Sequence, residues 1–117
     1  MIAVDRGDQA TILRLRAAAH EDMDLRAPAV VVAQALRNSN GRHARLARFL
    51  RTVEIVVTDL DLARRAGELL GRSATADAID AMVVLVAEDE DAILTTDPDD
   101  IAHLAAAARI RAAVIEC

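Results

Sequence analysis

The sequence has no lysine, tryptophan or tyrosine, and it has a single phenylalanine and a single cysteine. With so few aromatic residues, the core of this 117-residue chain must be built from Ala, Val, Leu and Ile, which dominate its 54% hydrophobic content. The lone Cys117 excludes a disulfide framework, and a catalytic thiol is not expected at a chain end.

Long apolar runs and glycine-rich loops are also missing. No run is long enough to cross a membrane, and the first residues lack the basic and apolar regions of a signal peptide, so we expect a cytoplasmic protein with no membrane partner. The four glycines are scattered and form no phosphate loop, which argues against nucleotide binding. The formal net charge of −5 argues against a protein that binds nucleic acid over its whole surface, but it allows a local basic patch.

Predicted strands and helices alternate along the chain. The pattern predicts extended segments at 26–27, 53–57, 92–95 and 114–115, and helices at 8–19, 29–37, 43–51, 59–70, 76–88 and 98–108. Asp8, Thr58 and Thr75 are the expected helix N-caps, and Gly71 is the expected end of the helix that starts at 59. This alternation predicts one α/β domain over residues 1–117, with a parallel central sheet flanked by helices.

Three carboxylates carry the candidate chemistry. Asp77 and Asp80 stand in the first turn of an apolar helix, and Asp97 follows the next strand. Functional groups gather at the carboxyl ends of parallel strands, and clustered carboxylates repel one another unless a cation neutralises them. The cluster therefore indicates an oxygen-ligand site for Mg²⁺ or Mn²⁺. The alternative is that Asp77 and Asp97 are only helix N-terminal acids favoured by the helix dipole, which is the expected role of Asp99 and Asp100.

The densest basic stretch spans residues 37–51. Arg45 and Arg48 fall on one face of the predicted helix, and arginine side chains there could contact a phosphate backbone. No aromatic residues interleave with them to stack on bases, so a solvated helix face is the simpler interpretation. The three histidines lack metal-ligand spacing and predict neither a zinc site nor a hydrolase triad.

The segment TADAIDAMVVLVAEDEDAILTTDPDDIAHL resembles the second half of a PIN domain, the fold of VapC-type toxin ribonucleases. The matching features are Asp80 at the start of an apolar helix, an acidic turn, and an apolar strand that ends in Thr-x-Asp at Thr95 and Asp97. The preceding helix, LARRAGELLGRS, also fits. The resemblance runs from about Pro28 onward, and the order and spacing of its short motifs carry it.

This resemblance implies a PIN-like three-layer sandwich and a Mg²⁺- or Mn²⁺-dependent endoribonuclease that hydrolyses RNA phosphodiester bonds. It implies the toxin component of a type II, VapBC-like toxin–antitoxin system, with a cognate VapB-like antitoxin that blocks the site, and a homodimer. By the same resemblance, Asp80 and Asp97 are the metal-site acids and Asp77 is a secondary candidate. The family's first acid corresponds either to Asp5 or to a residue upstream of this sequence.

Two features depart from the family pattern. Gln34 stands where the family places a Glu, and its amide brings no charge to a metal. PIN domains also open with an apolar strand that ends in Asp and is followed by a small residue and an apolar helix start. Residues 1–4 and Asp5 can be read as that strand, but Arg6 and Gly7 follow. We therefore prefer a register in which residues 1–4 match the helix start and the first strand is missing, which would leave its neighbours unpaired.

These departures keep a second hypothesis open. The chain would then be a catalytically degenerate, N-terminally shortened PIN domain that only binds an antitoxin or dimerises. A response-regulator-like receiver with an acidic pocket is a further alternative, which the absence of lysine disfavours, because such a pocket requires a lysine beside it.

Overall fold

A computed structural model describes residues 2–4, 25–37, 48, 51–95 and 97–116 of the chain. Its five-stranded sheet consists of β1 (Ile2–Val4), β2 (Leu25–Pro28), β3 (Val53–Val56), β4 (Ala92–Thr95) and β5 (Ala113–Glu116). The helices of the described residues are α1 (Ala29–Arg37), α2 (Leu60–Ser73), α3 (Ala78–Val86) and α4 (Pro98–Ala108). The predicted α/β class is confirmed at this level.

All strands of the sheet run parallel, in the order β3-β2-β1-β4-β5. The register of the central pair aligns Ile2 with Ala92 and Val4 with Leu94. Parallel neighbours cannot be joined by a hairpin, so each step needs a crossover connection. The predicted parallel sheet is thus confirmed.

The preferred register for the first residues is wrong. Ile2–Val4 form the central strand rather than the start of a helix, and they pair with β2 on one side and β4 on the other. Neither β2 nor β4 therefore lacks a neighbour at this position. The physical reason is that a short apolar run can form backbone hydrogen bonds on both edges when it lies between two strands.

Two helix caps also differ from prediction. Asp59 rather than Thr58 caps α2, and its carboxylate accepts a hydrogen bond from the amide three residues on at 2.8 Å. Asp77 rather than Thr75 caps α3 in the same way, at 3.0 Å. The hydroxyl of Thr75 instead pairs with that of Ser73 at 2.7 Å. A carboxylate has an advantage at this position because the helix dipole favours negative charge there.

Helix α2 continues past Gly71, its predicted end. It ends after Ser73 at Ala74, whose φ of 57° is left-handed. The buried face of the helix extends beyond the glycine and comprises Leu62, Ala66, Leu69 and Ser73. Packing of this face outweighs the cost of about 1 kcal/mol that glycine brings to a helix interior.

The other predicted boundaries have mixed outcomes. The predicted bounds of α1, β4 and α4 are confirmed. Strand β3 ends one residue before its predicted end, and α3 ends at Val86 rather than at residue 88. Strand β5 is longer than the two residues predicted for it. In the predicted helix 43–51, Arg48 is helical and Arg51 lies in a turn, and its other residues lie outside the described part. The predicted helix 8–19 and loop 38–41 also lie outside the described residues.

The core is aliphatic, as the composition predicts. Helices α2, α3 and α4 pack against one another, and α3 also contacts β1 and β2. The buried hydrophobic side chains are Leu25, Ala27, Val31, Leu62, Ala66, Leu69, Ala81, Val83, Val84, Val86, Ala87, Ile93, Leu94, Ile101, Leu104 and Ala105. Across the described ranges, none of the helices has the length and apolar character that a membrane span requires.

Candidate functional site

The direction of α3 decides which end of the sheet receives its first turn. Arg26, near the start of β2, donates from Nη1 to the carbonyl of Val86, the last residue of α3, at 3.0 Å. The turn after α3 then leads into Ala92, where β4 starts. Helix α3 is about 13 Å long, close to the length of the strands beneath it. The last residue of α3 therefore lies beside the starts of the strands. Its first turn must then lie near the opposite edge of the sheet, where the parallel strands end, which we call the carboxyl edge.

Asp80 is the buried acid of this edge. It lies in the first turn of α3, is 4% exposed, and its backbone amide donates to the Asp77 carboxylate at 3.0 Å. Asp80 also makes at least one further polar interaction within the chain. A carboxylate this buried is costly unless it is hydrogen-bonded, paired or bound to a cation, and the helix dipole offers part of that compensation. Its burial is compatible with both a metal ligand and a dipole partner.

Asp97 follows β4 and occupies the N-cap position of α4. It is half-buried, and its amide donates to the hydroxyl of Thr95, which is 0% exposed, at 2.9 Å. The Asp97 carboxylate makes no cap hydrogen bond to the described first turn of α4, although Asp97 has other polar interactions. Asp97 thus caps α4 through its backbone carbonyl, which accepts the Ile101 amide at 3.2 Å, and not through its carboxylate. Asp99 and Asp100 are exposed in that turn, as expected of dipole partners.

The order of the strands reverses beside Asp97. From β1 the chain proceeds to β2 and β3 on one side, then returns to β4 and β5 on the other. Open parallel sheets bind ligands outside the carboxyl ends of the strands at such a reversal. Asp97 follows β4 at this point. Asp5 directly follows β1 in the sequence but lies outside the described residues.

The remaining predicted site residues occupy different positions. Asp77 is the exposed N-cap of α3. Gln34 is half-buried in α1, which begins directly after β2 at the carboxyl edge. Arg48 is helical and exposed, and Arg45 lies outside the described residues. The structure thus brings Asp80 and Asp97 to one edge and leaves the predicted RNA-binding pair undetermined.

The donors at this edge suit a hard divalent cation. Asp80 and Asp97 offer carboxylate oxygens, which Mg²⁺ and Mn²⁺ prefer. Within the described ranges, no group of three or more His, Cys, Asp or Glu side chains is arranged to hold a metal ion. A third acidic ligand for the predicted site would therefore come from outside those ranges, where Asp5 lies.

Sequence reasoning missed the contacts of two residues. The hydroxyl of Thr95 holds the Asp97 amide, and a Thr two residues before an acid is a local signal that could have indicated this turn. Arg26 is only 18% exposed in its side chain and contacts Glu54 at 3.5 Å and Glu88 at 3.1 Å. No local signal predicts that pairing, because Glu88 is 62 residues away along the chain.

Comparisons of the chain with known proteins found no counterpart. No protein-family model, curated protein or solved structure matches it. The resemblance to PIN domains thus remains a prediction from short motifs, and the function must be inferred from the positions of the chain's own carboxylates.

Proposed function

We propose that this chain is a Mg²⁺- or Mn²⁺-dependent endoribonuclease with a PIN-like fold, the toxin component of a type II toxin–antitoxin pair. The observation that carries the proposal is the position of the buried Asp80 and of Asp97 at the carboxyl edge of a parallel sheet, beside the reversal of strand order. Asp80 lies in the first turn of α3 and Asp97 directly after β4, and both are thus at the edge where α/β folds bind ligands. Burial of the Asp80 carboxylate is costly unless it is compensated, and a bound cation would supply that compensation.

The handedness of the connections supports a three-layer sandwich. Crossovers between parallel strands are almost always right-handed. The β2-to-β3 connection runs across the sheet in the direction opposite to the β3-to-β4 and β4-to-β5 connections. The rule therefore assigns α1 to the face opposite α2, α3 and α4, which pack against one another. Helices on both faces of the sheet make three layers.

In the proposed site, Asp80, Asp97 and Asp5 hold the divalent ion. A bound divalent ion would supply an activated water and charge neutralisation at the scissile phosphate. Asp77 and Thr95 hold the backbone at Asp80 and Asp97. Arg45 and Arg48 bind the RNA backbone, a VapB-like antitoxin blocks the site, and the toxin forms a homodimer.

One observation favours a second candidate function, a degenerate domain that binds an antitoxin or dimerises without cleaving RNA. Gln34 is half-buried in α1 at the position that corresponds to the family's Glu. An amide oxygen can coordinate a cation but brings no charge, so the site holds its metal less tightly than one with an additional carboxylate.

The test is cleavage of a mixed RNA pool by the purified chain, with Mg²⁺ or Mn²⁺ compared with EDTA. We expect metal-dependent cleavage that falls at least about 100-fold in Asp80→Asn, because the amide keeps the shape of the buried side chain but removes its charge. Asp99→Asn is the matched control, since Asp99 is exposed in the first turn of α4, and it should cleave like the parent chain.

Either of two results would contradict the nuclease proposal. A folded parent chain that cleaves no RNA with either metal would favour the binding-only function. Cleavage by Asp80→Asn at the parental rate would show that the observed cleavage does not depend on Asp80, and it would point to a contaminating nuclease.

A further inference from the structure

We infer that Asp77 is a positioning residue that holds the helical turn carrying Asp80, and that it is not a metal ligand. The inference rests on the proposed function, because positioning matters only if Asp80 acts at the site. It assigns different roles to two acids that stand three residues apart.

The contacts of Asp77 are those of a helix cap. Its backbone is extended, with φ −84° and ψ 100°, and its Oδ1 accepts the Asp80 amide at 3.0 Å. Its carbonyl accepts the Ala81 amide at 3.1 Å. One carboxylate oxygen and the backbone carbonyl of Asp77 are thus engaged with the first turn of α3. Its side chain is exposed, whereas Asp80 is buried.

The chain contains an internal comparison for this role. Asp59 caps α2 with the same type of hydrogen bond, and its Oδ1 accepts the Leu62 amide at 2.8 Å. Helix α2 begins after the edge strand β3, away from Asp97. Removal of either carboxylate removes one N-cap, so the two losses should affect stability alike, but only the loss at Asp77 disturbs the turn that carries Asp80.

Serine separates capping from metal binding. Ser and Asp are about equally good N-caps, because each offers an oxygen to the amide at the N2 or N3 position. Serine brings no negative charge and is a poor substitute for a carboxylate ligand. A positioning role therefore predicts that Asp77→Ser retains activity, and a ligand role predicts that it fails like Asp77→Ala.

The experiment measures RNA cleavage and its dependence on Mg²⁺ concentration in Asp77→Ala, Asp77→Ser and Asp59→Ala. We expect kcat to fall about 10- to 100-fold in Asp77→Ala, the usual loss when a group that orients a metal ligand is removed. Asp77→Ser should stay within about threefold of the parent and need the same Mg²⁺ concentration. Asp59→Ala should lower the Tm by as much as Asp77→Ala, about 4 °C, and leave kcat unchanged.

Two outcomes overturn the inference. Equal impairment in Asp77→Ser and Asp77→Ala, with more Mg²⁺ needed for half-maximal rate, would make Asp77 a ligand. Parental kcat in Asp77→Ala would show that the cap does not position Asp80.

Amide hydrogen exchange in metal-free buffer separates a failure of this inference from a failure of the proposed function. If the parent chain cleaves no RNA, the proposed function fails. Exchange at the Asp80 amide still decides whether Asp77 holds this turn. We expect it to be faster in Asp77→Ala and parental in Asp77→Ser, and unchanged exchange in Asp77→Ala would overturn the inference.

Discussion

At the scale of single residues, the two candidate ligands are held by the same kind of local hydrogen bond. An upstream side-chain oxygen accepts the backbone amide of each: Asp77 for Asp80, and the Thr95 hydroxyl for Asp97. The spacing of these pairs is visible in the sequence, so both could be found from it. The burial of Asp80 could not, because the side chains that exclude water from it come from distant segments.

Thr95→Val tests the second of these pairs. Valine has the shape of threonine but no hydroxyl, so the half-buried Asp97 amide loses the acceptor that the buried Thr95 provides. We expect a loss of about 1–2 kcal/mol in the free energy of unfolding, measured by urea denaturation. Thr58→Val is the control, since Thr58 is exposed in the loop before α2 and its substitution should change stability by less than about 0.5 kcal/mol. Equal effects of the two substitutions would show that the Thr95 contact contributes little.

At the scale of elements, packing overrides local signals where the two conflict. Glycine usually marks the end of a helix, yet α2 continues through Gly71 because its buried face extends to Ser73. Where local and tertiary signals agree, as in β4 and α4, the sequence predicts the bounds correctly. β-Branched residues favour a strand, and a proline favours the first position of a helix, through interactions within a few residues. These signals can therefore be recognised in the sequence alone.

Gly71→Ala tests the reading of α2. A Cβ at this position would meet no atom within 4 Å, and the residue lies inside the helix. We expect the free energy of unfolding to rise by about 0.5–1 kcal/mol, because alanine loses less backbone entropy than glycine in a helix. Gly67→Ala, in equally open space on the same helix, should give a similar gain. Destabilisation by Gly71→Ala alone would indicate that the helix ends there.

At the scale of the whole molecule, the central strand organises the candidate site. With β1 between β2 and β4, the strand order reverses beside Asp97, which is where open parallel sheets bind ligands. Local sequence did not decide this role, because Ile2–Val4 is too short for its pattern to distinguish a strand from a helix start. Its conformation depends on pairing with segments far along the chain.

Hydrogen exchange of β1 tests this arrangement. Amides in a central parallel strand exchange slowly, because they open only when much of the sheet unfolds. We expect the slowest-exchanging amide of Ile2–Val4 to approach the protection of its partners in β4, Ile93 and Leu94, when measured by NMR. The edge strand β5 should be less protected. If every amide of β1 exchanged faster than those of β5, the central position of β1 would be wrong.

The sequence by itself determined the aliphatic core, the alternation of strands and helices, the parallel sheet and the two carboxylates at a strand end and a helix start. These properties follow from composition and from interactions that span a few residues. Tertiary structure decided the position of β1, the length of α2, the burial of Asp80 and the Arg26 contacts. Each of these depends on which distant segments become neighbours, and short-range patterns carry no information about that.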